Sequence, residues 1–554
     1  MPVIDAVQVD SQTLLQSDIC IVGGGAAGIA IAQEFLNTPY QVLLLESGDF
    51  VPDPQTQALY DVQTVGHPMR LAQGYVSRNR YFGGSTNTWG GRCMALNPID
   101  FAERDWVADS GWPFDLATLA PFYDRAAQLL GLPTPRQFAP QAWQGQILGR
   151  HDLWRDPVLT PTVALYAPSV PKLRQMYGPL LRQAPNLQIY LNANVTELEP
   201  NPDLRNIQRL QVQTLSGNQF WVSSRVVILA CGGWENARLL LASQRHCPNG
   251  LGNGHDLVGR YYMEHPKLVA GRIYPTAKAL RSPIFQDLCR TRGGFVQLGL
   301  RLTDAQQRQH RMLNHHVELL PGSTIDLAAA TQTFKQVGSY LKRGQWGALR
   351  NQDIAAFWPH LGEMAHYFIH KRFNRPIPYP HILLRNHLEQ SPQRHSRICL
   401  SRQRDALGMP RLQVYLAISR QDQDSLVRFH DLLGQRLQAL GLGRLESPLL
   451  GGDPASQEGA WATLTDSSHH MGTTRMGRHP RQGVVDDQGQ LHGCANLFIA
   501  SSSVFPTGGH ANPTLTLLAL ALRLADHLKT QVLPAQVHRA SPRAGLSASH
   551  LAKC

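Results

Sequence analysis

Near its start the chain carries two unbroken apolar runs about twenty residues apart. The first, ICIV at 19–22, leads through GGGAAG into the small-residue stretch IAIAQEF, and the second, VLLL at 42–45, ends at Glu46. Short apolar runs bounded by glycine read as strands buried on both faces, and the stretch between them reads as a helix with small residues on one face. The pattern predicts a βαβ unit over residues 18–48. A second unit is expected over residues 187–243, where IYLNANVTELEP precedes RVVILACGG and the helical NARLLLAS. From about Arg272 to Trp461 the pattern changes to alternation, as in FVQLGLRL, HHVELL and PRLQVYLAI, alongside the helical SLVRFHDLLGQRLQALGLG. Alternation predicts an antiparallel sheet with helices, a different kind of domain. The first style returns at NLFIASSSVFPTGGHANPTLTLLALALRLADHLKT, where the apolar residues 515–522 are followed by Arg523 and Asp526 and read as a buried helix. Residues 534–554 have little to bury and are expected to be mobile.

At 554 residues the chain is long enough for two or three structural units, and no internal repeat is visible. Its 43% apolar and 17% charged residues, with 47 Gly and 37 Pro, exclude disordered, collagen-like and coiled-coil classes. Eight cysteines scattered singly form neither a disulfide framework nor a zinc ribbon, so a reducing, cytoplasmic setting is expected. No run of about 18 apolar residues suggests a spanning helix, and the first residues lack the basic-then-apolar layout of a signal peptide. The net charge of +12 is compatible with a peripheral membrane contact or an acidic redox partner. No nucleic-acid-binding module accompanies it. Residues 326–380, which mix aromatics with Lys and Arg, suit a helical insertion, a lid or a surface-binding element.

Chemistry enters at the first glycine turn. Gly23, Gly25 and Gly28 form G-x-G-x-x-G directly after a strand, and Glu46 ends the next strand 18 residues after Gly28. Such glycines let a pyrophosphate approach a helix N-terminus, and an acid at that spacing accepts from a ribose 2′-OH. Glu46 in place of Arg argues against a 2′-phosphate, leaving NAD or FAD. The predicted fold class is therefore α/β (α+β overall), with a Rossmann-like nucleotide domain over 1–105, 185–271 and 462–533. A substrate domain with an antiparallel sheet and helices takes 106–184 and 272–461.

Three further strings follow in order: NRYFGGSTNTWGGRC at 79–93, SSHHMGTTRMG at 467–477 and HANPTLT at 510–516. Together with the opening βαβ unit, over roughly residues 15–530, they resemble the glucose-methanol-choline (GMC) family of FAD-dependent oxidoreductases. Within it they resemble the branch of pyranose oxidases and bacterial sugar dehydrogenase large subunits. The resemblance implies FAD as the cofactor. It assigns His469, first in H-x-x-G-T, as the catalytic histidine and Asn512, first in N-P-x-x-T, as the second active-site residue. It places Val195 near the adenine, and Gly84, Asn87 and Ser501 near the pyrophosphate and isoalloxazine. Some members link FAD through a histidine in the glycine loop. That place is Thr88 here, so FAD is expected to be noncovalent.

Oxidising an alcohol removes a proton from oxygen and a hydride from carbon, so the site needs a base at the hydroxyl and flavin N5 against the C–H. His469 has the intrinsic pKa for the first task, and Asn512 can donate to the developing alkoxide. Asn512-Pro513 before an apolar run reads as N-cap and first helical residue. The helix would then aim its positive end at the reduced flavin, with Thr514 as a backbone donor. His510 is a candidate substrate-pocket contact. His265 in GRYYMEHP reads as structural, Arg475 and Met476 as bracing the loop, and no compact spacing of His, Cys or acids points to a metal. The expected activity is FAD-dependent oxidation of an alcohol, a polyol or sugar slightly favoured, with oxygen, a quinone or a redox protein as electron acceptor. A non-redox enzyme such as a lyase that retains FAD on the same scaffold is the alternative.

Overall fold

A computed structural model describes residues 3–66, 77–132, 138–143, 153, 155–280, 282–285, 288–291, 293–322, 369, 380–451 and 453–535. Nearly all of the 326–380 segment and of the 534–554 tail lies outside the described residues. The first layer is an eight-stranded sheet. Its parallel part runs Val3–Asp5, Leu187–Leu191, Val42–Leu45, Leu14–Val22 and Gln219–Leu229, with Leu497–Ile499 beside the end of the last. Val42–Leu45 is buried at every position, as a parallel strand covered on both faces must be. The helix Ala26–Glu34 crosses between Leu14–Val22 and Val42–Leu45, which is the βαβ unit expected from the pattern.

The second expected unit differs. Asn194–Pro200, Ile207–Gln213 and Gln219–Leu229 form an antiparallel meander, and the helix Glu235–Ala242 follows the last strand. The connections at 201–206 and 214–218 are too short for a parallel crossover, which needs a dozen or more residues.

The second layer is a seven-stranded antiparallel sheet. Leu159–Tyr166, Gly294–Leu302, His316–Gly322, His381–His387 and Lys267–Pro275 pair in that sequence across it. The helix Arg420–Ala439, opened by a capping box of Ser419 and Asp422, lies against it: His430 bonds to Asn386 at 2.8 Å, and its ring fills the space over Gly271. PRLQVYLAI does not join this sheet. Pro410–Leu416 instead pairs with Arg397–Arg404 and, in parallel, with Val62–Gly66, so a three-stranded sheet draws on both expected domains.

Candidate active site

The parallel strands Leu14–Val22, Val42–Leu45, Gln219–Leu229 and Leu497–Ile499 all end at one cleft. Val22, Leu45, Ala230 and Ala500 stand in its wall, and it encloses about 1430 Å³ of space continuous with solvent. Ligands of open α/β sheets bind at this edge, the carboxyl ends of the strands. Gly23, with φ +107°, turns the chain out of the strand. Gly25 caps the helix Ala26–Glu34 and lines the cleft. Gly28 lies behind it, where the helix presses against the backbone of Gly23. Glu46 closes the turn: one carboxylate oxygen accepts from Gly24 N at 2.8 Å and the other from Gly48 N at 3.0 Å. Burial raises its pKa.

Val195, Gly84, Ser501 and Thr514 also line this cleft. Gly84 takes φ +53° and comes within reach of Gly25 across it. Asn87 does not face the cleft; its amide donates to the carbonyls of Phe82 and Gly84 at 3.0 Å each and holds the loop's shape. Thr88 turns away too, its hydroxyl accepting from Asn79 Nδ2 at 2.5 Å. A Cβ on Gly25 or on Gly232 would meet no protein atom within 4 Å. Asn79 Oδ1 and Arg80 Nε are buried at this wall without protein partners. Open backbone, unmatched polar atoms and a helix N-terminus in one long cleft fit a dinucleotide.

At one end of the cleft stands His469. The residue before it, Ser468, has φ +58°, a left-handed conformation that only a well-determined loop maintains in a non-glycine residue. The determining contacts come from residues 261–266. Met263 and Met471 exchange two backbone bonds of 3.0 Å. One oxygen of Glu264 accepts from the backbone N–H groups of His265, Ser467 and His469 at 3.0–3.3 Å. Burial, reinforced by Asp466, pushes Glu264 up to about 8. These contacts set His265 Nδ1 2.9 Å from His469 Nδ1, so the residue read as structural touches the catalytic candidate. On its other side His469 Nε2 lies 3.2 Å from Asn512 Nδ2. Burial, then repulsion from His265, Lys267, His387 and His470, holds the His469 pKa well below its ordinary value, so the ring is neutral at pH 7.

Asn512 precedes the helix Pro513–His527, with Pro at its first position, but its side chain makes no capping bond. Its oxygen accepts from Arg92 Nη1 at 3.3 Å instead. Arg92 is anchored by Glu318 at 3.0 Å and His316 at 3.2 Å. Opposite pairing in the antiparallel sheet puts His316 beside His387 and Glu318 beside Arg385, on one face of neighbouring strands. Arg92, although inside the glycine string 79–93, and Glu318, which belongs to no motif, escaped the sequence reading because their partners are distant in the chain. His510 is 2% exposed, bonds to Asn97 at 3.0 Å and stacks near His316; it stands behind this wall and not in the cleft. His470 turns from His469 to stack on Trp234, and Arg475 braces the loop through the Asp109 carbonyl.

Among the described residues, folding also gathers two trios of possible metal ligands that chain spacing did not reveal: His316, Glu318 and His387, and Glu264, Asp466 and His470. In the first the Arg92 guanidinium sits against both His316 and Glu318, and so already supplies a cation.

Residues 392–521 match the family model described as GMC oxidoreductase. Among curated proteins, 6'''-hydroxyparomomycin C oxidase of Streptomyces lividus is 24% identical over 92% of this chain and 92% of its own length. The fructose dehydrogenase large subunit of Gluconobacter japonicus is 23% identical over 93% and 98%. Among solved structures, a formate oxidase shares the fold with a TM-score of 0.57 at 16% identity, over 95% of this chain and all of the other. The motifs, the cleft at the strand ends and these full-length relatives agree: the chain is similar to GMC oxidoreductases along its length, and these likenesses support an FAD-dependent alcohol oxidoreductase.

Proposed function

We propose that the chain oxidises a polyol or sugar hydroxyl to the carbonyl, with His469 as the base and Asn512 as the donor to the alkoxide. The observation that carries this reading is the 3.2 Å approach of Asn512 Nδ2 to His469 Nε2 at the end of the cleft. A hydroxyl oxygen placed between them would give its proton to Nε2 and receive an N–H from Asn512 as negative charge develops. Bound FAD supplies the two-electron acceptor for the hydrogen leaving carbon. Gly23, Gly25 and Gly84 would hold its pyrophosphate, Glu46 its ribose, Val195 its adenine, and Ser501 and Thr514 the flavin end. Thr514 is the second residue of a 15-residue helix whose positive end would favour negative charge there.

A polyhydroxylated substrate is supported by relatives whose names specify fructose and hydroxyparomomycin C. In anaerobic mixing with a panel of polyols and sugars, at least one should bleach the flavin absorbance. His469→Ala should slow that bleaching by about 10²–10⁴-fold while keeping its FAD. Bleaching as fast as in the wild type would remove His469 from the reaction. Reoxidation by oxygen against a quinone analogue then separates the acceptor classes. Thr88 and its hydrogen bond argue for noncovalent FAD; acid precipitation should leave the yellow colour in solution, and colour on the pellet would contradict this.

A further inference from the structure

The polar groups around His469 form a chain whose ends admit one direction of hydrogen bonding. Arg92 has donors only, and the Gly508 carbonyl can only accept. Arg92 Nη1 therefore donates to Asn512 Oδ1 at 3.3 Å, which turns the amide so that Nδ2 donates to His469 Nε2 at 3.2 Å. With Nε2 accepting, a neutral His469 carries its proton on Nδ1 and donates to His265 Nδ1 at 2.9 Å. His265 in turn carries its proton on Nε2 and donates to Gly508 O at 3.3 Å. Reading from Gly508 gives the same assignment, provided His265 is neutral. It is: burial lowers it to about 4.

We infer that His265 is a positioning residue that locks His469 in the Nδ1–H tautomer, so that the basic lone pair on Nε2 faces Asn512 and the substrate hydroxyl. Free imidazole of histidine favours the opposite tautomer, with the proton on Nε2, which cannot act as a base at that atom. The acceptor on His265 reverses that preference without adding a charge. Its placement is specified independently of the ring contact: Glu264 holds the backbone N–H groups of both His265 and His469, and Ser467 Oγ donates to the His265 carbonyl at 2.6 Å.

The inference rests on His469 being the base, and the test separates the two. In ¹⁵N-histidine-labelled holoenzyme, with the His469 signals identified by their loss in His469→Ala, Nδ1 should be protonated and Nε2 bare. His265→Asn keeps an oxygen acceptor near the place of Nδ1. It should preserve this signature and reduce flavin within about threefold of the wild-type rate. His265→Leu fills the volume without an acceptor. It should raise the share of His469 protonated on Nε2, against the remaining Asn512 donor, and slow flavin reduction by about 10–100-fold, with little change in substrate affinity. A proton on Nε2 in the wild type, or an unchanged tautomer in His265→Leu, overturns the lock. If His265→Leu does not fold, the wild-type and Asn spectra decide alone. If His469→Ala is fully active, the assignment of the base falls instead.

Discussion

At Gly28 a Cβ would lie 1.9 Å from the carbonyl oxygen of Gly23, whereas at Gly25, three residues earlier, it would meet nothing within 4 Å. The two glycines of one motif therefore do different work. Gly28 permits helix and strand to touch, and Gly25 leaves room for a ligand. Gly28→Ala should cost more than about 2 kcal/mol of stability, read in denaturant unfolding, because the obstruction is backbone and cannot move aside. Gly25→Val should fold with near wild-type stability as apoprotein but bind FAD at least about tenfold more weakly by fluorescence titration. Equal FAD affinity would show that Gly25 does not face the cofactor. Residues of this kind were legible in the chain because the motif is local: turn, helix and Glu46 fall within 24 positions. His265 was not, since its contact with His469 spans 204 positions, and Arg92 reaches Asn512 across 420. Nothing in periodicity or spacing joins residues so far apart; the segment 261–266 does so only by pairing with 469–471 in the fold.

Among the elements, the helix Pro513–His527 shows how a start signal can be correct while its residue works elsewhere. Asn512 and Pro513 mark the boundary as expected, yet the Asn512 side chain leaves the helix end uncapped and turns to His469 and Arg92. Ser419 is the contrast: its hydroxyl accepts from Asp422 N at 3.1 Å, in a capping box ahead of Arg420–Ala439, far from the cleft. Asn512→Ala should thus lower flavin reduction by about 10²–10³-fold with stability changed by less than about 1 kcal/mol, and Ser419→Ala should lose about 1 kcal/mol with activity retained. Paired thermal melts and anaerobic reduction rates check both, and equal effects on the two scales would remove the distinction. Elements with a strong period, such as Gly294–Leu302, were readable as strands. Their partners were less so. Pro410–Leu416 alternates as well as any strand of the antiparallel sheet but pairs with Val62–Gly66, because alternation specifies which face is buried and not which neighbour covers it.

Over the whole molecule, burial of histidine sets the dependence of stability on pH. Of the 23 histidines, His265, His315 and His387 are lowered to about 4 and His430 to about 3, chiefly by desolvation. His316, His469, His470, His510 and His527 are pushed down in the same way. Unfolding returns each to about 6.5, so below that pH the unfolded chain binds more protons and stability falls as pH falls, by up to about 1.4 kcal/mol per unit for each histidine. Five carboxyls act oppositely, Glu46 and Asp486 among them. Asp422 is raised to about 6, Asp100 to about 7 and Glu264 to about 8, again mainly by desolvation. Each is protonated in the folded protein where the unfolded chain has already ionised, so stability is lost as pH rises from the ordinary carboxyl range through these values. Nine histidines outweigh five carboxyls below 6.5, and above it the histidine contribution fades as the unfolded rings lose their protons. The thermal midpoint of the holoenzyme should therefore peak near pH 7, with a steep acid limb between 6.5 and 4.5 and a gentler decline toward 8. A midpoint that is flat or rises on acidification from 6.5 to 5 would mean that these rings are charged in the folded state. A charged His265 could not accept from His469, and a charged His469 could not serve as the base.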